Sequence, residues 1–511
     1  MSIDLSLDRL HKFLPLLPIR YSRPTIHIAG TNGKGSVSAI LSTILLHASP
    51  SFSVGRFNSP HLTKITDCIT INDHPIGDET YQETRTQVET LAKESGITIT
   101  PFEILAVTAL QILEASKVDV AVIEVGMGGR LDATNVIPSE HILVSALTTV
   151  DLDHQGFLGS TVSEITKEKA AIARQDKPFV LGRQRYPEAE RIARRLVEEL
   201  GGILKPPIMV DTREWDADHS GSSSSFSLGK GDSASFTPPP SQRVEFSMSS
   251  LRPELISTAF SLHGAHQLDN LATALGVLDA LISSSLKQQV ANRITADSVK
   301  SALANVRWRG RLNWETLNLS LLVDAETLPV PSTIPVLVDG AHNAGSSQSL
   351  SRYLLDHAIP SLPSGSNIHL SYIVATSYSP TKPPRETLLP LFTNLPPSVS
   401  SMSVITVSFS PPDGMPWVKP TPVTDMLGAL KEISPSIAEV RAMDYDDDPQ
   451  RQLLQAFRAA LADYKRALGR SPHSTNSTPD LHHLIVVAGS LYLVADFYRL
   501  LDSIPQPLSS K

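Results

Sequence analysis

Seven residues near the start of the chain, Gly30-Thr31-Asn32-Gly33-Lys34-Gly35-Ser36, combine three glycines, a lysine and two hydroxyls. Glycines let backbone N–H groups turn toward phosphate oxygens, a following helix N-terminus favours negative charge, and Lys34 supplies a cation. These features occur together between a strand and a helix, so the segment reads as phosphate-binding rather than as a simple helix cap. Gly35 separates Lys34 from Ser36, which departs from the ordinary phosphate-loop spacing and argues against a common GTPase or small-molecule kinase. Glu124 leads into Gly126-Met127-Gly128-Gly129-Arg130-Leu131-Asp132-Ala133-Thr134-Asn135. By spacing it serves equally as a helix N-cap or as an acid facing the phosphate loop. His154, after Asp151-Leu152-Asp153, reads by itself as a loop histidine bonded to nearby backbone. Lys169 lies in the cluster Thr166-Lys167-Glu168-Lys169 on an amphipathic helix, a pattern that usually marks a solvated face. Arg307, Arg309 and Arg311 around Trp308 are a charged junction or an anion clamp. Asp339-Gly340-Ala341-His342-Asn343 sits where a strand gives way to a helix, a place suited to face a cleft.

These residues need a scaffold, and the hydrophobic pattern supplies one. Residues 25–29, 118–123 and 142–147 read as buried strands, and 37–47, 101–116, 162–174 and 188–200 as helices. Further helices follow at 264–285 and 296–305. Strands alternating with helices imply a mostly parallel sheet covered on both faces. All strand C-termini then share one edge, which would turn Glu124 and His154 toward the phosphate loop. Beyond the junction, strands at 334–338, 368–375, 403–407 and 484–487 alternate with helices such as 346–357 and 450–467. The expected fold is therefore α/β throughout. An N-terminal P-loop-type, phosphate-binding parallel-sheet domain (1–310) precedes a smaller Rossmann-like C-terminal domain (311–511), with the active site expected in the cleft between them. Residues 219–242, with four consecutive serines and three consecutive prolines, read as a disordered insertion unable to support a core.

The chain has 511 residues, enough for two to four domains of ~150 residues. With 44 Lys and Arg against 52 Asp and Glu, its net charge is −8, which argues against nucleic acid or an anionic membrane as partner. The single cysteine, Cys68, allows neither an intrachain disulfide nor a thiolate metal cluster. The N-terminal residues lack a basic start and apolar core, and no run of 18 apolar residues occurs. A cytoplasmic protein is expected, with a mitochondrial pool from another start site left open.

Taken in order, Gly30–Ser36, Asn58-Ser59-Pro60-His61-Leu62, Glu124–Asn135, Leu152-Asp153-His154, Glu168-Lys169-Ala170, Arg309-Gly310-Arg311, Asp339–Asn343 and Gly489-Ser490-Leu491-Tyr492 resemble the folylpolyglutamate synthase and dihydrofolate synthase family, relatives of the cell-wall Mur ligases. The resemblance covers nearly the whole chain except the Ser/Pro segment. It implies an ATP-dependent ligase that joins L-glutamate to a folate-type carboxylate through an acyl phosphate, as a monomer using ATP, Mg²⁺ and a monovalent cation such as K⁺. Thr31, Asn32, Gly33, Lys34, Gly35 and Ser36 correspond to the ATP phosphate loop, and Asn270, Arg311 and Asp339 to further ATP contacts. Ser59, Glu124 and His154 match Mg²⁺-holding positions, and Lys169 matches a lysine that is carbamylated, which would turn a cation into an oxygen ligand. His342 belongs to the same C-domain motif as Asp339. Lys34, His154, Lys169, Asp339 and His342 are thereby the implied catalytic set. Ile3, Asp4, Leu5, Thr100, Pro101, Phe102, Glu103, Leu131, Asp132 and Ala133 match pterin-substrate positions. Residues 129–135 resemble the bacterial and fungal dihydrofolate synthase form, whereas eukaryotic polyglutamate synthases more often carry a tyrosine before the aspartate and a cysteine after it. This favours dihydropteroate over tetrahydrofolate as acceptor, with bifunctional members known. Residues 376–383 depart from the family's Gly-rich turn and Lys-Asp pair.

Overall fold

The computed structural model describes residues 6–213, 226–228, 236–251, 255–283, 292–318, 333–362, 365–380, 382–433, 439–443, 448–470 and 481–503. The chain divides into two units. The first takes the described residues of Met1–Glu214 and Ser241–Trp308, the second those of Trp215–Pro240 and Arg309–Lys511.

The first unit is built on eight strands: β1 (Thr25–Ala29), β2 (Val54–Phe57), β3 (Ile69–Ile71), β4 (His74–Pro75), β5 (Val120–Glu124), β6 (Ile142–Leu147), β7 (Pro178–Leu181) and β8 (Ile203–Lys205). They pair in the order β4-β3-β2-β5-β1-β6-β7-β8. β2, β5, β1, β6, β7 and β8 run parallel, and the antiparallel β3 and β4 close one edge. β1 lies at the centre and all five of its residues are buried, as a strand covered on both faces requires. Helices Lys34–Leu46, Ala265–Ser283 and Ala296–Asn305 contribute to one apolar cluster on this sheet, and Asp78–Ser95 and Pro101–Ala115 to another. The helix at Pro101 starts where proline is tolerated, behind a capping box in which Thr100 and Glu103 satisfy each other's backbone N–H groups. A three-stranded antiparallel sheet, β9 (Val210–Arg213), β10 (Gln242–Ser247) and β11 (Leu255–Phe260), was not evident from the hydrophobic pattern.

The second unit carries β12 (Asn313–Asn318), β13 (Thr333–Val338), β14 (Asn367–Val374), β15 (Val399–Thr406), β16 (Glu439–Ala442) and β17 (Leu481–Ala488), ordered β12-β13-β17-β14-β15-β16. Only β12 is antiparallel to its neighbour. The four strands expected here are present. β12 and β16, short and mostly half-buried, lie at the edges, where alternation is weak.

One expectation needs correction. Within residues 219–242, expected to be disordered throughout, residues 226–228 and 236–237 are packed or bonded, while Pro238 and Pro240 are exposed. Phe226 and Leu228 are buried in the second unit's core. The rings of Phe226 and Phe236 lie 5.1 and 5.8 Å from that of Trp314. Ser227 and Thr237 exchange backbone hydrogen bonds of 3.1 and 2.9 Å. Averaged composition hid the cause: three large apolar residues stand among the serines and prolines. The rest of that stretch up to residue 235 lies outside the described residues.

Candidate active site around the phosphate loop

The turn from β1 into helix Lys34–Leu46 is shaped by close backbone approaches. Gly33 caps the helix at φ +97°, a conformation L side chains rarely adopt, and a Cβ there would stand 2.1 Å from Asn270 Oδ1. Asn270 is buried and donates to Gln267 Oε1 at 2.9 Å, so its oxygen stays aimed at the loop. At Gly35 a Cβ would stand 2.7 Å from the Trp308 indole. The loop is thus a bare-backbone cradle wedged between Asn270 and Trp308, the form that phosphate oxygens fit.

Charged groups converge behind it. Lys34 Nζ donates to the carbonyls of Gly30 at 3.1 Å and Thr31 at 3.4 Å and lies 3.6 Å from Glu124 Oε1. Glu124 Oε2 accepts from Asn58 Nδ2 at 2.6 Å, and Asn58 is held in turn by Ser38. The strand-end carboxylate therefore faces the phosphate loop. Lys169 is almost completely buried, and its Nζ donates to Gly30 O at 3.0 Å. Its pattern-based reading as a solvated face is wrong. Helix Val162–Ala170 approaches so closely that a Cβ on Gly129 would stand 2.7 Å from Glu168 O. Burial, and secondarily the Lys34 charge, lower the Lys169 ammonium to about 7, so the amine is partly neutral near neutral pH.

His154 is exposed, at φ +53°, capping the short helix Gln155–Leu158. Ser59 is half-buried beside Asn58. Among the described residues, no three His, Cys, Asp or Glu side chains form a metal-holding group. The implied ligand set of Ser59, Glu124, His154 and Lys169 differs from such a group in including a hydroxyl and a lysine. Glu124 is a suitable hard oxygen donor; Lys169 becomes one only as a carbamate.

Among the described residues, Phe102 and the 126–134 segment of the implied acceptor set lie together. The Phe102 ring lies against Gly126, where a Cβ would stand 2.1 Å from its Cζ. Asp132 is buried, accepting from Thr134 and Met127, and burial raises its pKa. Leu131 is half-buried and Ala133 buried. Thr100 and Glu103 hold the helix start, and Arg9 adds an ion pair of 3.1 Å to Glu103. Pro101 is exposed at the helix start. Ile3, Asp4 and Leu5 lie outside the described residues.

Arg56 was not singled out from the sequence. It is buried on β2, its guanidinium 5.0 Å from the Trp308 ring centroid and 3.2 Å from Asp73. Burial lowers its pKa. The available signal was an arginine inside an otherwise apolar strand.

In the second unit, Asp339 follows β13 and accepts at both oxygens, from Leu312 N and Ala341 N, each at 2.8 Å. Burial raises its pKa to about 6 against the opposing pull of Arg311. Arg311 lies against Gly340, and its Nη1 donates to Gly310 O. His342 Nδ1 sits 3.0 Å from Gly340 O. Arg311, Asp339 and His342 are therefore gathered, whereas Arg309 turns aside to Asp502 and the Tyr498 ring.

Residues 323–500 match a family model described as dihydrofolate synthetase, C-terminal domain. The dihydrofolate synthetase of Saccharomyces cerevisiae is 31% identical, over 98% of this chain and 99% of that protein. The probable dihydrofolate synthetase of Schizosaccharomyces pombe is 30% identical over the same shares. Among solved structures, the Mycobacterium tuberculosis folylpolyglutamate synthase complexed with ADP and AMPPCP superposes with a TM-score of 0.70 at 25% identity, covering 98% of this chain and 96% of that one. A lysine-bearing phosphate loop on a parallel sheet, followed by a second α/β unit, is here the framework of an ATP-dependent ligase. The chain belongs to the dihydrofolate synthase/folylpolyglutamate synthase family. No helix among the described residues is long and apolar enough to cross a membrane.

Proposed function

We propose that this protein is a dihydrofolate synthase, joining L-glutamate to 7,8-dihydropteroate with ATP to give 7,8-dihydrofolate, ADP and phosphate. The observation that carries the reading is the convergence of Lys34, Glu124 and Lys169 on one phosphate loop. End-to-end similarity to the yeast dihydrofolate synthetase supports the choice of acceptor.

A carboxylate does not condense with an amine at neutral pH, so ATP first converts it to an acyl phosphate, which the amine of glutamate attacks with loss of phosphate. Lys34, now bonded to loop carbonyls, is placed to transfer to the phosphates and offset charge on the moving phosphoryl group. The Gly30–Ser36 amides orient the phosphate chain, and Asn270 holds the loop in shape. Phe102 and the 126–135 loop seat the pterin acceptor. Mg²⁺, held by Ser59, Glu124 and His154, would supply Lewis-acid stabilisation of the phosphates. The partly neutral Lys169 amine is suited to take up CO₂, releasing a proton and becoming an oxygen donor. The same reading places the enzyme in the cytoplasm as a monomer, with K⁺ as a further cation.

Folylpolyglutamate synthase activity is the second reading, favoured by the fold-level likeness to the Mycobacterium tuberculosis enzyme. Glutamate-dependent ADP release by purified protein, with dihydropteroate or tetrahydrofolate in parallel, separates the two. Dihydropteroate is expected to react far faster, because a folate in the same pterin pose carries its terminal carboxylate beyond reach. Comparable kcat/KM for both acceptors means a bifunctional enzyme, and preference for tetrahydrofolate overturns the first reading.

A further inference from the structure

His27 stands in the middle of the central strand β1, fully buried between β5 and β6. Its sequence neighbours Ile26 and Ile28 show what such a strand normally holds. The imidazole Nε2 lies 2.8 Å from Thr134 Oγ1. The single hydroxyl hydrogen of Thr134 is donated to Asp132 Oδ1 at 2.6 Å. Thr134 Oγ1 can therefore only accept from His27, which makes the ring the Nε2–H tautomer. Burial, with Arg174 adding, lowers the imidazole to about 3, so the ring stays neutral at any working pH. Nδ1 has no hydrogen-bond partner among the described residues. A buried nitrogen left in that state is costly, which argues that the one bond the ring does make matters.

That bond leads into the patch assigned to the acceptor. Asp132 Oδ1 also takes Thr134 N at 3.0 Å, and Oδ2 takes Met127 N at 2.9 Å. Gly126, next to Met127, lies under the Phe102 ring. A directed chain of donors thus runs from the sheet's centre through Thr134 to the Asp132 carboxylate. A donor strengthens the acceptor it polarises, so the imidazole tightens the Thr134–Asp132 bond.

We propose that His27 is a positioning residue for the pterin acceptor, fixing Asp132 through Thr134. This rests on the reading of residues 126–135 as the acceptor loop, and the test is arranged so that the two can fail separately.

The test is steady-state kinetics of the full chain with dihydropteroate and ATP varied in turn, alongside thermal unfolding. His27→Ala is expected to raise KM for dihydropteroate about tenfold, the scale of one net hydrogen bond, while KM for ATP stays within about twofold. His27→Gln, whose amide N–H can donate from nearly the same place, restores most of the loss. Thr134→Val reproduces the signature, and the double variant His27→Ala/Thr134→Val is no worse than either single one. Equal rises in both KM values, or a kcat loss that merely follows loss of thermal stability, overturns the proposal. So does failure of His27→Gln to differ from His27→Ala. If His27→Ala does not fold, Thr134→Val decides on the same criteria. Asp132→Asn separates the underlying reading. An unchanged dihydropteroate KM removes the acceptor assignment and the proposal with it. A raised KM there, with His27 and Thr134 variants unaffected, defeats the positioning role alone.

Discussion

Two buried carboxylates lie at the C-terminal ends of parallel strands, one in each unit, and they are held in opposite ways. Glu124 faces a lysine ammonium and a side-chain amide. Asp339 is held by two backbone N–H groups, from the two segments that the Gly340 N–H to Gly310 O bond joins. Side chains can exchange partners when a charged ligand arrives, whereas backbone amides move only if the turn moves. On the proposed function the strand-end position of Glu124 would serve chemistry, whereas that of Asp339 is bonded into the turn that carries Arg311.

The largest expected effects test that contrast. Lys34→Ala and Glu124→Ala should each lower kcat by roughly 100- to 1,000-fold, the scale of losing one preorganised electrostatic partner, with thermal unfolding unchanged. Asp339→Ala should instead lower the unfolding temperature, because two buried N–H groups lose their acceptor. An Asp339→Ala enzyme as stable as the parent but as inactive as Lys34→Ala would erase the distinction. Next in size, Phe226→Ala should destabilise the second unit by roughly 3 kcal/mol, as deletion of a buried aromatic side chain typically does. Urea unfolding measures this, and a change below about 0.5 kcal/mol would return residues 226–228 to surface status. The smallest effect sharpens the comparison by pH. Asp339 binds its proton more tightly folded, at about 6, than unfolded, near 3.8. Its contribution is therefore fully present below about pH 4 and declines as pH rises toward 6. The stability gap between parent and Asp339→Ala should shrink by roughly 2 to 3 kcal/mol across that window, at ~1.4 kcal/mol per pH unit.

What was legible depended on how local the signal was. The phosphate loop was readable because glycines, lysine and hydroxyls act within seven residues, and the parallel strands because each is a continuous apolar run. Lys169 was not, since its burial depends on Gly129, distant in sequence, letting a helix come close. Asn270 and Lys169 were placed at the site only by family resemblance; no periodicity marks either. β10 was missed although Val244 and Phe246 alternate inward, because it follows directly on a proline-rich stretch. The packed residues around Phe226 were lost in an average dominated by serine.

The route of the chain through Phe226 has a consequence for biosynthesis. The second unit is discontinuous: part of its apolar interior is encoded inside the first unit's span, ahead of Trp314 and strands β12–β17. On the ribosome, Phe226, Leu228 and Phe236 emerge before any surface they can cover exists. The serines and prolines around them keep that waiting segment soluble and poor at forming β-structure. A fragment beginning at Arg309 would fold around a hole where those three side chains belong.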